Sequence, residues 1–173
     1  MDIGPAASDA RGAYAAAQAG RHDQAVELYR RAVSAAPGSA SLRYDLGLEL
    51  AAVGRRSEAL EAFHESARLD PGSPDGLNEI GRLEIEAGRL GAAKSALDEA
   101  LRRNPEYPPA QNNRGVVEFL QGRFAEAADR FRRALRADPD NADAWYNLAD
   151  ACDELGDQAG RDEARARYRK LSE

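Results

Sequence analysis

A proline returns every 34 residues in this chain, at Pro37, Pro71, Pro105 and Pro139, and a glycine keeps the same interval at Gly20, Gly54, Gly88, Gly122 and Gly156. Self-similarity at a fixed period of this size means stacked supersecondary units, each unable to bury its apolar face alone. Cutting at the period yields five units, 6–39, 40–73, 74–107, 108–141 and 142–173. Arrays of this kind act through an extended surface, and a pocket of catalytic groups is not expected of them.

Each unit reads as helix, tight turn, helix. The glycine at the fifteenth place suits the left-handed backbone that ends a helix. The proline at the thirty-second lacks an amide donor and stops the second helix. Between them, apolar residues recur at helical spacing, as in Ala59, Leu60, Phe63 and Ala67. Ser73-Pro74 reads as a helix cap followed by proline at the first helical position. Small residues repeat in register: Ala13, Gly47, Gly81, Gly115 and Ala149 at the eighth place, and Ala25, Ala59, Ala93 and Ala127 at the twentieth. A bulky residue, Tyr29, Phe63, Leu97 or Phe131, is placed to fill the gap beside them. No run alternates like an exposed strand, so the expected fold class is all-α, with ten antiparallel helices.

These residues resemble the tetratricopeptide repeat (TPR) pattern, W-x2-L-G-x2-Y, then A-x3-F, then P, over 34 residues. The second unit supplies Leu46-Gly47, Leu50, Ala59, Phe63 and Pro71, and the fifth opens with Trp145, Leu148, Ala149 and Cys152. The resemblance covers nearly the whole chain. It implies one array over residues 1–173, a right-handed α-α superhelix whose last helix, about 158–171, acts as a C-terminal cap. Around that helix, Arg161, Arg165, Arg167, Arg169 and Lys170 surround an apolar stripe of Ala164, Tyr168 and Leu171. The first helix is alanine-rich and short of large side chains, so docking or continuation is more plausible at that end.

Composition narrows the function. A net charge of −6 argues against a nucleic-acid partner, and no segment approaches the roughly 18 apolar residues of a membrane span. The stretch from Met1 to Pro5 has no basic patch leading into an apolar run, so a cytoplasmic location is expected. His22 and His64 stand in different units, outside any metal-spaced cluster, and read as surface histidines. There is no phosphate-binding GxxxxGK loop and no G-x-S-x-G elbow. No enzyme activity, cofactor or metal is expected. Cys152 stands where the family has a tyrosine packed between helices, and reads as a small buried hydrophobe, with a reactive thiol as the alternative.

One cluster departs from the family. The seventh and eleventh places face the interior, and the fourth unit puts Arg114 and Glu118 there, four residues apart on one helix face. Glu84, at the eleventh place of the third unit, is expected to oppose Arg114. The reading is an internal ion-pair cluster joining the third and fourth units, with a carboxylate pair for a cation as the alternative.

The resemblance also implies a partner surface. In TPR proteins the first helices line a concave groove, with the second, fifth, sixth, ninth, twelfth and thirteenth places facing the ligand. Carried over, those places yield Tyr44, Asp45, Asn78, Glu79, Arg82, Asn112, Asn113, Val116, Phe119, Tyr146, Asn147 and Asp150. The amides can serve the backbone of an extended peptide as donors and acceptors, and the aromatics can anchor it. Carboxylates dominate these places, with Asp75, Glu86, Asp143, Asp153 and Glu154 adding to those named, so a neutral to basic peptide or protein segment is the expected partner. The carboxylate clamp of some TPR modules needs lysine at a fifth place and asparagine at a ninth; this chain has neither. The expected function is a protein–protein interaction scaffold. The alternatives are a structural module that self-associates through an exposed end, forming a homo-oligomer, and a regulatory TPR fragment of a larger multidomain enzyme.

Overall fold

The computed structural model describes residues 4–172; Met1 to Ile3, part of the stretch inspected for a leader, lie outside the described residues. Among the described residues there are ten α-helices and no strand: α1 (Pro5–Gln18), α2 (His22–Ala35), α3 (Ala40–Ala52), α4 (Arg56–Leu69), α5 (Asp75–Glu86), α6 (Leu90–Arg103), α7 (Pro108–Leu120), α8 (Phe124–Ala137), α9 (Ala142–Glu154) and α10 (Gln158–Leu171). They form two compact units, divided within α5 between Ile80 and Gly81.

The periodic glycines do what their spacing requires. Gly20, Gly54, Gly88, Gly122 and Gly156 have φ between +70° and +75°. The residue after each donates its amide back across the turn, as in Arg55 N–H to the Leu50 carbonyl at 2.8 Å and Arg123 N–H to the Glu118 carbonyl at 2.9 Å. This is the Schellman closure, which satisfies carbonyls left open at a helix end. The prolines follow directly on the C-caps of α2, α4, α6 and α8, which are Ala36, Asp70, Asn104 and Asp138.

A second use of the prolines was not read from the sequence. The residue at the fourth place of a unit reaches back to the proline carbonyl. Arg43 Nε donates to Pro37 at 3.3 Å, Gln111 Nε2 to Pro105 at 2.7 Å, and Trp145 Nε1 to Pro139 at 2.8 Å. Three unlike side chains are interchangeable here because each carries an N–H donor on a stem long enough to satisfy a carbonyl outside the helices. Leu77 holds this place in the third unit and has no donor.

Close approach explains the small residues. A Cβ built on Gly47 would lie 2.6 Å from Phe63, one on Gly81 2.5 Å from Leu97, and one on Gly115 2.6 Å from Phe131. Phe63 and Leu97 are wholly buried and Phe131 is nearly so. Burying each such side chain contributes about 1.5–3 kcal/mol, and only glycine lets the facing backbone come near enough. The start of α5 differs by one residue from expectation. Ser73 Oγ accepts the Asp75 amide at 3.1 Å, but regular helix begins at Asp75, with Pro74 just outside it. In α10, Ala164 is fully buried and Tyr168 packs edge-on against Tyr146, whereas Leu171 is exposed, so the apolar stripe ends one turn early.

Candidate functional site

In the first compact unit, Tyr44 and Asp45 lie on α3, and Asn78 and Glu79 on α5. The Tyr44 ring leans on Phe63 with centroids 5.6 Å apart, so part of it belongs to the core. Asn78 is 4 % exposed and donates to Glu79 Oε1 at 3.1 Å. Asp45 is half-buried beside Glu49 and Tyr29. Burial first, and the charge of Glu49 second, raise its carboxyl above the ordinary range. Burial, Asp45 and Glu49 push the Tyr29 hydroxyl up to about 12. His22, read as a surface histidine, is half-buried and sets Nδ1 2.9 Å from Glu49 Oε2; His64 is exposed as expected.

The second compact unit carries most of the expected surface. Arg82, on the part of α5 that belongs here, pairs with Glu86 one turn on. Helices α7 and α9 bring Asn112, Asn113, Val116, Phe119, Tyr146, Asn147 and Asp150 together. Asn147 Nδ2 donates to Asn112 Oδ1 at 3.0 Å, so these two amides hold one another, and Asn112 is only 9 % exposed. Val116, Phe119, Phe131, Asn147 and Asp150 enclose a notch of about 50 Å³. Phe119 also meets Phe124 edge-on at 5.2 Å. Tyr146 is the aromatic presented to solvent, 51 % exposed, with its ring 5.5 Å from Tyr168. It borders an open hollow of about 500 Å³ lined also by Ala149, Asp150, Asp162, Arg165, Tyr168 and Arg169.

The charge of this wall differs from a count of α9 carboxylates. Arg161 Nη1 of α10 lies 3.0 Å from Asp153 Oδ1, and Arg165 Nη2 lies 3.5 Å from Asp153 Oδ2. The arginines that replace the family's Ala and Phe therefore offset Asp153. Asp150 forms no ion pair among the described residues.

The interior cluster is present but its partners differ from expectation. Arg114 donates from Nη1 to Glu118 Oε1 and from Nε to Asp98 Oδ1, each at 2.7 Å. Glu84 is paired with Arg89 in the turn after α5, not with Arg114. Arg89, at the end of that turn, reaches Glu84 within the same helix end, while Asp98 on α6 faces α7 directly. Glu118 Oε2 has no hydrogen bond; Arg130 Nε stands 3.7 Å away, and Arg130 Nη1 donates to Gln111 Oε1 at 3.1 Å. One repeat on, Leu148, Cys152 and Ala164 replace Arg114, Glu118 and Arg130, and a hollow of about 380 Å³ lies there. Cys152 is fully buried at its floor, and burial is the chief cause that pushes its thiol pKa up. Among the described residues no group of three or more His, Cys, Asp or Glu is disposed to hold a metal ion. No helix there is long and apolar enough to cross a membrane.

Residues 78–129 match the tetratricopeptide repeat family model and 117–156 match a second TPR repeat model, while 7–71 match that of the bacterial transcriptional activator domain. Together with the five-fold register and the helix pairs, these matches place the chain: it is a tetratricopeptide repeat protein, with the fold of an α-solenoid array. Among solved structures, a thermophilic TPR protein of Thermus thermophilus is similar, at TM-score 0.77 and 26 % identity over 96 % of this chain and 89 % of that one. Pseudomonas aeruginosa PilF aligns at TM-score 0.85 and 20 % identity, covering 96 % of this chain and 76 % of that one. MamA aligns at TM-score 0.73 and 22 % identity, covering 96 % and 90 %. At such identities the last two likenesses speak for the fold alone. No curated protein sequence matches.

Proposed function

We propose that this chain is a protein-interaction scaffold whose five units act as one array and hold an extended peptide, or a segment of a partner protein, against the first helices. The observation that carries this reading is the α7–α9 wall. Asn113, Val116 and Phe119 lie beside Asn147, Asp150 and the exposed Tyr146, so amide, apolar and anionic groups recur along one helix-lined face. An amide can serve a peptide backbone whatever its sequence, and a half-exposed tyrosine is the kind of side chain that dominates interface energetics. Asp150, outside any ion pair of the described residues, favours a neutral or basic segment. Asn112, nearly closed to solvent and bonded to Asn147, positions its neighbour at the base of this face.

A peptide array scored for binding tests this, followed by calorimetric titration of the best basic sequence at two salt concentrations. Replacing Asn113 and Asn147 together by alanine removes hydrogen bonds of about 1 kcal/mol each, so binding should weaken by about tenfold or more. Affinity should also fall as salt rises. Unchanged affinity in a folded double variant, or preference for acidic peptides, overturns the reading. The match of residues 7–71 to the bacterial transcriptional activator domain favours a second reading, a regulatory module working through protein contacts within a larger protein. The groove variants would then leave peptide binding untouched, while partner-domain contacts would map to α1–α4.

A further inference from the structure

Helix α9 sits on α7 and α8 in a definite register: Asn147 reaches Asn112, and Asn147 and Asp150 close the notch against Val116, Phe119 and Phe131. Advancing that seat by one repeat leads from Asn112, Val116, Phe119 and Phe131 to Tyr146, Asp150, Asp153 and Arg165. Here no helix of the described residues covers it, and the hollow beside Tyr146 lies open. The contrast is large: Phe131 is 1 % exposed, whereas the Arg165 side chain is 49 % exposed. Charged groups thus stand where the preceding repeat has apolar ones. A polar end alone would serve as a solubilising cap.

The occupant is indicated by α1. Stepping Asn147 and Asp150 back four repeats leads to Arg11 and Tyr14. Arg11 is exposed and forms no ion pair among the described residues; Tyr14, at 62 %, is the most exposed of their large hydrophobic side chains. Ala15, exposed beside Tyr14, keeps the flank of this face low. Laid on a second molecule's α9 and α10 in the register α9 itself uses, Arg11 comes over Tyr146 with Asp150 within reach of its guanidinium, and Tyr14 comes to the side of the seat held by Arg165, where a cation can lie over its ring. Arg161 and Arg165 already stand on Asp153, so Asp150 is the carboxylate left for Arg11. We propose that α1 of one copy docks on the open α9–α10 seat of a second copy, so that the protein forms head-to-tail chains held by Arg11–Asp150 and Tyr14–Arg165. The contact is heterologous, so each copy keeps one free α1 and one free seat and the contact can repeat from copy to copy. The seat shares Tyr146 and Asp150 with the proposed peptide-binding face, and self-association is measured with no peptide present, so the two readings are tested apart.

Mass in solution, by light scattering and sedimentation equilibrium, tests this. The parent should be monomeric when dilute, grow in steps toward about 1 mM at low salt, and revert to monomer as salt screens the pairs. Arg11→Glu and Asp150→Lys should each abolish growth, with circular dichroism confirming both are folded. Mixed in equal amounts they should grow again by alternation, because every α1 then meets a seat of opposite charge. The double variant Arg11→Glu/Asp150→Lys should regain growth through the exchanged pair. A parent that stays monomeric at about 1 mM and low salt, single variants that associate as the parent does, or a mixture that stays monomeric would each overturn the proposal.

Discussion

Arg114→Ala tests whether the interior cluster is held as its geometry states. The Arg114 and Glu118 side chains are 6 % and 7 % exposed, and their closest atoms are 2.7 Å apart. Removing the arginine leaves Glu118 charged, nearly dry, and faced by Arg130 at 3.7 Å. Breaking a buried pair by deleting one partner costs about 3–5 kcal/mol. Arg130 is partly exposed and can swing toward Glu118, which puts the expectation at the lower end, about 3 kcal/mol. Asp98, whose side chain is 45 % exposed, merely returns to water and adds little. For a chain of this size each kcal/mol moves the melting temperature by about 2–4 °C, so the variant should melt roughly 6–12 °C below the parent. Arg114→Leu should lose as much, because the carboxylate remains. Arg114→Leu combined with Glu118→Leu should recover the loss, and could exceed the parent by about 1–4 kcal/mol, since apolar packing often matches or betters a buried pair. Urea unfolding followed by circular dichroism, with the same series in thermal melts, measures each arm. An Arg114→Ala variant that melts within about 1 °C of the parent would show that water reaches Glu118 and that the burial argument is wrong.

Three further outcomes follow from particular contacts. Gly115→Ala puts a methyl 2.6 Å from the Phe131 ring and should cost about 1–3 kcal/mol, while Gly91→Ala, with nothing within 4 Å, should be neutral or gain about 0.5–1 kcal/mol; equal effects in urea unfolding would refute the close-packing account. Because burial and Glu49 raise the Asp45 carboxyl in the folded state, its contribution is favourable below the ordinary value of 3.8 and is lost as pH rises through the raised value. Asp45→Asn should therefore stabilise the protein at pH 7 relative to the parent, with an advantage that shrinks toward pH 4; a difference independent of pH would contradict this. Cys152, fully buried with its thiol pKa raised, should react with a thiol reagent orders of magnitude more slowly in the native protein than in denaturant, and rapid native labelling would refute its burial.

What could be read along the chain was whatever the repeat makes local. Gly54 and its four counterparts announce a left-handed backbone at fixed intervals, and each adopts it, because a helix end closed by a Schellman turn depends on a handful of neighbouring residues. Gly47 opposite Phe63, and Gly115 opposite Phe131, were legible as well, since small and bulky places recur in one register. The inward direction of Arg114 and Glu118 followed from helical spacing. Their partners did not. Asp98, one repeat behind on a second helix, holds Arg114, Arg89 holds Glu84, and Arg161 with Arg165 holds Asp153. Helical register states which face a side chain occupies, but an arginine reaches several ångströms in any of many rotamers. Which carboxylate it meets is decided by how neighbouring helices are set against one another. The same holds for the expected partner surface. Asn112 and Asn147 were assigned to it as two independent amides, and only the packing of α9 on α7 joins them, turning one into the support of the other.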